Sequence, residues 1–94
     1  MQSLYDITLG MKAKDRKTLE IIFKDPVNGN LEFRHIEALL LALGAEKTER
    51  KGSAVSFVLN GIRVDFHRPH PDKAALRYRV KDARAFLQLA GVKP

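Results

Sequence analysis

The sequence contains no cysteine, which excludes disulfides, zinc ribbons and thiol nucleophiles together. Its longest unbroken apolar run, residues 38–43, falls far short of the roughly 20 residues that a membrane-spanning helix needs. No apolar stretch followed by small residues marks a secretory leader. These absences predict a cytoplasmic protein with no membrane partner. There is no internal repeat and no low-complexity tract. A glycine-rich phosphate loop, a paired-histidine metal spacing and a serine nucleophile elbow are all missing, so neither a metal nor any other cofactor is expected. Histidine is scarce too, at His35, His67 and His70 alone.

What the chain has is positive charge. Seventeen basic residues against eleven acidic ones give a formal net charge of +6 over 94 residues. The excess is unevenly placed. Across 61–85, Arg63, Arg68, Lys73, Arg77, Arg79, Lys81 and Arg84 face only Asp65, Asp72 and Asp82, while over 31–51 the charges cancel. A basic excess concentrated in one stretch attracts polyanions, and phosphate backbones are the usual target. The same charge also fits a solvated cationic surface. A hydrophobic fraction of 45% is enough for one modest core, and this length makes one domain rather than two.

Residues 1–10 show no clear period and read as a flexible N-terminal extension before Met11. A short helix is expected over 15–23, capped by Asp15, with Leu19, Ile22 and Phe23 on one stripe. Asp25-Pro26 ends it, and Asn28-Gly29-Asn30 is turn chemistry. A second helix over 33–43 places Ile36, Leu39, Leu40 and Leu43 on one face and stops at Gly44. Residues 45–50 read as an edge strand.

Two strand-like runs, 53–59 and 62–67, flank Asn60-Gly61, a dipeptide suited to a type I′ turn. A two-residue turn fixes the register. Leu59 opposes Ile62, Phe57 opposes Val64 and Val55 opposes Phe66, making one apolar face. Ala54, Ser56, Val58, Arg63, Asp65 and His67 make the other, open face, with Ala54 beside His67. The 69–71 segment, Pro-His-Pro, cannot continue a strand. A last helix over 77–90 buries Val80, Ala83, Leu87 and Ala90, with Phe86 beside them, and ends at Gly91. The expectation is an α+β domain, a three-stranded antiparallel sheet with helices on one face in the order α-α-β-β-β-α.

Several features in line resemble the HicA family, small bacterial toxins of type II toxin–antitoxin pairs. They are the 39–44 helix end followed by Ala45-Glu46, the Gly52-Ser53 strand start, the hairpin, the Pro-His-Pro segment, Lys73, and the Ala90-Gly91-Val92 helix end. The likeness spans 33–92. It divides the chain into an extension (1–10), an additional helix and loop (11–30) and a HicA-like domain (31–94). The resemblance implies a fold like a double-stranded-RNA-binding domain, an mRNA-cleaving activity and inhibition by a HicB-like antitoxin protein. It also exposes a departure. The family reads Gly-Ser-His at the start of the second strand, where the histidine acts as the base, and this chain has Gly52-Ser53-Ala54. A Gly-Thr pair that opens the family's last helix is replaced by Tyr78-Arg79.

Cleavage of RNA without a metal needs a base near a 2′-hydroxyl and positive charge on the phosphate as it gains charge. Histidine suits the first task. His35 reads as an ordinary surface histidine. His67 is either a polar residue ending a strand or a base standing in the space left by Ala54. His70 either braces its loop or touches phosphate. Lys51, Ser53, Arg63, His70, Lys73, Arg77 and Lys81 are the expected RNA contacts, since A-form RNA is recognised through its shape, phosphates and 2′-hydroxyls. Two readings follow. One is a ribonuclease that uses His67, or whose native form carries histidine at 54; the other is a non-catalytic module that binds RNA, a HicB-like antitoxin, or both.

Overall fold

The computed structural model describes residues 10–70 and 73–94. The expected N-terminal extension, apart from Gly10, and the second proline of Pro-His-Pro lie outside them. Six elements follow the expected order: α1 (Ala13–Ile22), α2 (Phe33–Ala42), β1 (Glu46–Glu49), β2 (Ala54–Leu59), β3 (Ile62–His67) and α3 (Leu76–Leu89). The strands form one antiparallel sheet in the order β1-β2-β3, so the chain has the expected α+β fold. No helix among the described residues is long and apolar enough to cross a membrane.

The hairpin is the frame of the molecule. Asn60 and Gly61 take φ of 52° and 80°, as a type I′ turn demands. Every cross-strand pair falls as the two-residue turn dictates, from Leu59 opposite Ile62 to Ala54 opposite His67. Val55, Phe57, Leu59 and Phe66 are buried on the inner face, with Ile62 and Val64 half-buried at its margin. Phe66 bridges sheet and helix. Its ring meets Phe57 edge-on at 6.2 Å and Phe33, at the start of α2, at 5.2 Å.

The helices bury the stripes their spacing predicts. Ile36, Leu39 and Leu40 of α2, with Val80, Ala83, Phe86 and Leu87 of α3, close the core over the sheet. α1 packs on both through Leu19 and Ile22. Gly44 and Gly91 end α2 and α3 with positive φ. One detail differs from expectation: Asp15 does not cap α1. Lys12 holds the N-cap position, and Asp15 sits in the first turn, 9% exposed. Met11 packs against the core just before, so tertiary burial starts the helix earlier than side-chain capping chemistry implies.

The turn at 28–30 forms as expected, with the Asn30 amide donating to Asn28 Oδ1 at 2.9 Å. It then braces the start of α3. Leu76 N–H donates to the Gly29 carbonyl at 3.0 Å and Ala75 N–H to Leu31 at 2.6 Å. A Cβ at Gly29 would lie 3.0 Å from the Arg77 backbone nitrogen, so a side chain there would crowd the start of α3. Leu76 is left with φ of 71°, an unusual setting for a bulky residue.

Candidate functional site

The outer face of the sheet is built in cross-strand rows. Arg50, just past β1, bonds Ala54 through its backbone amide, and Ala54 stands directly opposite His67. Next come Thr48, Ser56 and Asp65, then Glu46, Val58 and Arg63. Ser56 is nearly sealed, at 2% exposure, because two arginines close over it. Arg50 Nε donates to Ser56 Oγ at 2.8 Å and Arg63 Nη2 does so at 3.4 Å. Ser56 in turn donates to Asp65 Oδ1 at 2.6 Å, where Arg63 Nε also donates at 3.0 Å. The Ser56 hydroxyl first, and the Arg63 guanidinium second, hold the Asp65 carboxyl below its usual range. Arg50 and Arg63 on this face are matched by Asp65 and Glu46, and the cation in the row of His67 is Arg50.

His67 is exposed on that face. Because the hairpin turn begins with a hydrogen-bonded pair, Ala54 and His67 form a non-hydrogen-bonded pair, the closer of the two kinds. A side chain longer than alanine at 54 would therefore lie against the imidazole, with Arg50 on its other side. On the far edge of β3, Arg79 Nε donates to the His67 carbonyl at 2.8 Å. The Arg79 guanidinium carbon also lies 4.7 Å from the Tyr78 ring centre, a cation–π contact.

Arg68 fixes the loop that follows. Its Nε and Nη2 donate to Glu37 of α2 at 2.7 and 3.1 Å, and its Nη1 and Nη2 donate to Glu49 of β1 at 2.7 and 2.8 Å. Lys47 Nζ lies 3.6 Å from Glu49 and 3.9 Å from Glu37. Arg68 pulls the Glu49 carboxyl below its ordinary value, chiefly by hydrogen bonding, and its own pKa is pushed further up by the two carboxylates. Its backbone amide donates to the Ser53 carbonyl at 2.9 Å. The same residue thus joins α2, β1, the β1–β2 turn and the loop carrying His70 and Lys73.

Four of the expected RNA contacts lie in the segments next to this end of the sheet, Lys51 and Ser53 in the β1–β2 turn and His70 and Lys73 in the loop after β3, with the candidate base His67 at the end of β3, all exposed. Arg63 shares the outer face but lies toward the hairpin turn. Arg77 and Lys81 do not join them. At 100° per residue they fall on the flank of α3 shared with Arg84, which reaches α1 by donating to the Ile22 carbonyl at 2.8 Å. Arg79 lies on the opposite flank, at β3. His35 is half-buried in a groove between α1 and α2, away from this surface.

Arg50, Arg68 and Arg79 were not picked out as contacts by the sequence. The cross-strand register does pair Ser56 with Asp65, and that pairing is the signal for the polar cluster that Arg50 joins. The Glu37–Glu49–Arg68 joint has no local signal.

No curated protein and no solved structure matches the chain. The family model described as the HicA toxin of bacterial toxin–antitoxin matches residues 33–92, which take in α2, the whole sheet and α3. The chain belongs to the HicA toxin family.

Proposed function

We propose that this toxin-family chain binds mRNA on the outer sheet face and the adjoining Lys51–Ser53–His70–Lys73 end, and cleaves it without a metal, and that a HicB-like antitoxin protein restrains it in the cytoplasm. The observation that carries the reading is the pairing of position 54 with His67, with Arg50 beside it. In the cleavage, the imidazole of His67 takes the proton of a ribose 2′-hydroxyl. The 2′-oxygen then bonds to the adjacent phosphorus, and the bond from phosphorus to the 5′-oxygen breaks. The 5′-oxygen takes up a proton from water, leaving a cyclic 2′,3′-phosphate and a free 5′-hydroxyl. Arg50 stabilises the charge that builds on the non-bridging oxygens.

A second reading rests on Ala54 itself. Alanine can neither accept nor donate a proton, so the same surface with no base at 54 fits a module that binds RNA or an antitoxin without cutting. The test is cleavage of a structured mRNA by the full chain in EDTA, beside Ala54→His and His67→Ala. Cutting by the unsubstituted chain that disappears in His67→Ala supports the catalytic reading. Cutting by Ala54→His alone means a toxin scaffold without its base. No cutting by any version, with RNA still bound, leaves the binding module.

A further inference from the structure

The outer edge of β3 pairs with no strand among the described residues. In β2 the odd residues bond β3 and the even ones bond the β1 side, as the Arg50 amide on the Ala54 carbonyl shows. The backbone groups of Arg63, Asp65 and His67 consequently point away from the sheet. Arg79 takes the His67 carbonyl. Arg63 and Asp65 keep their N–H and C=O groups open, with no backbone partner among the described residues. Below this edge runs a groove whose apolar lining is Ile62, Val64, Ala85, Phe86 and Leu89. Leu89, at 70% exposure, is the most exposed large apolar side chain described. Asp82 lines the groove too, beside Arg63 and Asp65, and open main-chain groups beside a largely apolar groove are what an added strand requires.

The sequence of the edge selects the strand. An antiparallel copy of β3 centred on Val64 sets Arg63 opposite the second copy's Asp65, and Asp65 opposite its Arg63. Centring on Arg63 or on Asp65 sets a charge against itself, which is unfavourable. The favourable register is also the one that makes hydrogen-bonded pairs of the two open residues, giving four main-chain bonds. Asp65 spends only Oδ1 on Ser56 and Arg63, so Oδ2 is open to the second arginine. Ile62 and Val64 of each copy then lie toward Ala85 and Leu89 of the other.

We propose that β3 is the interface of a two-fold homodimer, in which two copies of this chain pair edge to edge about Val64 to make one six-stranded sheet. On the RNA-binding reading, and only on it, the two His67 positions then share one continuous face, roughly 20 Å apart at about 3.3 Å per residue.

The test is independent of RNA. Light scattering of the full chain over a concentration series should approach twice the 10.6 kDa of one chain. Arg63→Asp alone and Asp65→Arg alone should each return one-chain mass, and the two substitutions together should restore the dimer. Circular dichroism melts confirm that each variant is folded. Since the chain has no cysteine, Val64→Cys supplies a single thiol at the two-fold axis, where paired Cα atoms about 4.5 Å apart suit a disulfide. It should cross-link on oxidation, whereas Ile62→Cys, opposite the second copy's Phe66, should not. One-chain mass at every concentration, a dimer that survives either single charge reversal, or equal cross-linking at 62 and 64 would overturn the proposal.

Discussion

Arg68 touches none of the chemistry proposed above, yet the loop carrying His70 and Lys73 is held by its guanidinium. Glu37 is only 15% exposed as a side chain, so removing its arginine leaves a shielded carboxylate whose Lys47 contact is long, at 3.9 Å. Arg68→Ala should cost about 2 kcal/mol in urea unfolding. Arg68→Lys should recover only part of it, because an ammonium cannot make the four fork-like bonds. This joint was illegible in the sequence. It links residues 37, 49 and 68, which neither a helical nor a strand period relates, and only the packing of α2 on the sheet brings them together. Ala54 facing His67 was legible, since a two-residue turn leaves no freedom in the pairing of the strands it joins.

Among the elements, the hairpin is where local chemistry and tertiary packing agree most fully. Gly61 needs its positive φ, and Asn60 both adopts one and donates from Nδ2 to the Ala90 carbonyl at 2.8 Å, tying the turn to the end of α3. Gly61→Ala should destabilise by about 1–2 kcal/mol, and Asn60→Ala by about 1 kcal/mol through the lost bond, both read from thermal or urea transitions. α3 shows what periodicity leaves open. Its buried stripe follows from spacing alone, so Arg77, Lys81 and Arg79 are all predictably outside it. Which flank faces β3 depends on how the helix crosses the sheet, and that separates Arg79 from the other two. The start of α1 departs from expectation for a related reason: packing of the half-buried Met11 against the core favours the earlier start, not the capping preference of Asp15.

For the whole molecule, the described carboxylates that depart from ordinary behaviour both depart downward. Glu49 is held by Arg68, and Asp65 by Ser56 and then Arg63. A depressed folded pKa contributes stability that is present above the ordinary carboxylate range and lost as pH falls through the lower folded value. The thermal midpoint should therefore stay level down to about pH 5 and drop below about pH 4. Glu49→Gln combined with Asp65→Asn should flatten part of that drop. A midpoint that declines equally in both proteins would contradict the account. Net charge of +6 acts at this scale too, by drawing the chain to polyanions in a salt-dependent way, though it says nothing of where they bind.

That location is the central claim, and the most direct measurement is a backbone-amide NMR titration of the chain with a short A-form RNA duplex at two salt concentrations. The account predicts shifts concentrated at Arg50, Lys51, Ser53, Ala54, His67, His70 and Lys73, weakening at higher salt, with the Arg77–Lys81–Arg84 flank of α3 little changed. Shifts centred on that flank, or none at all at low salt, would contradict it.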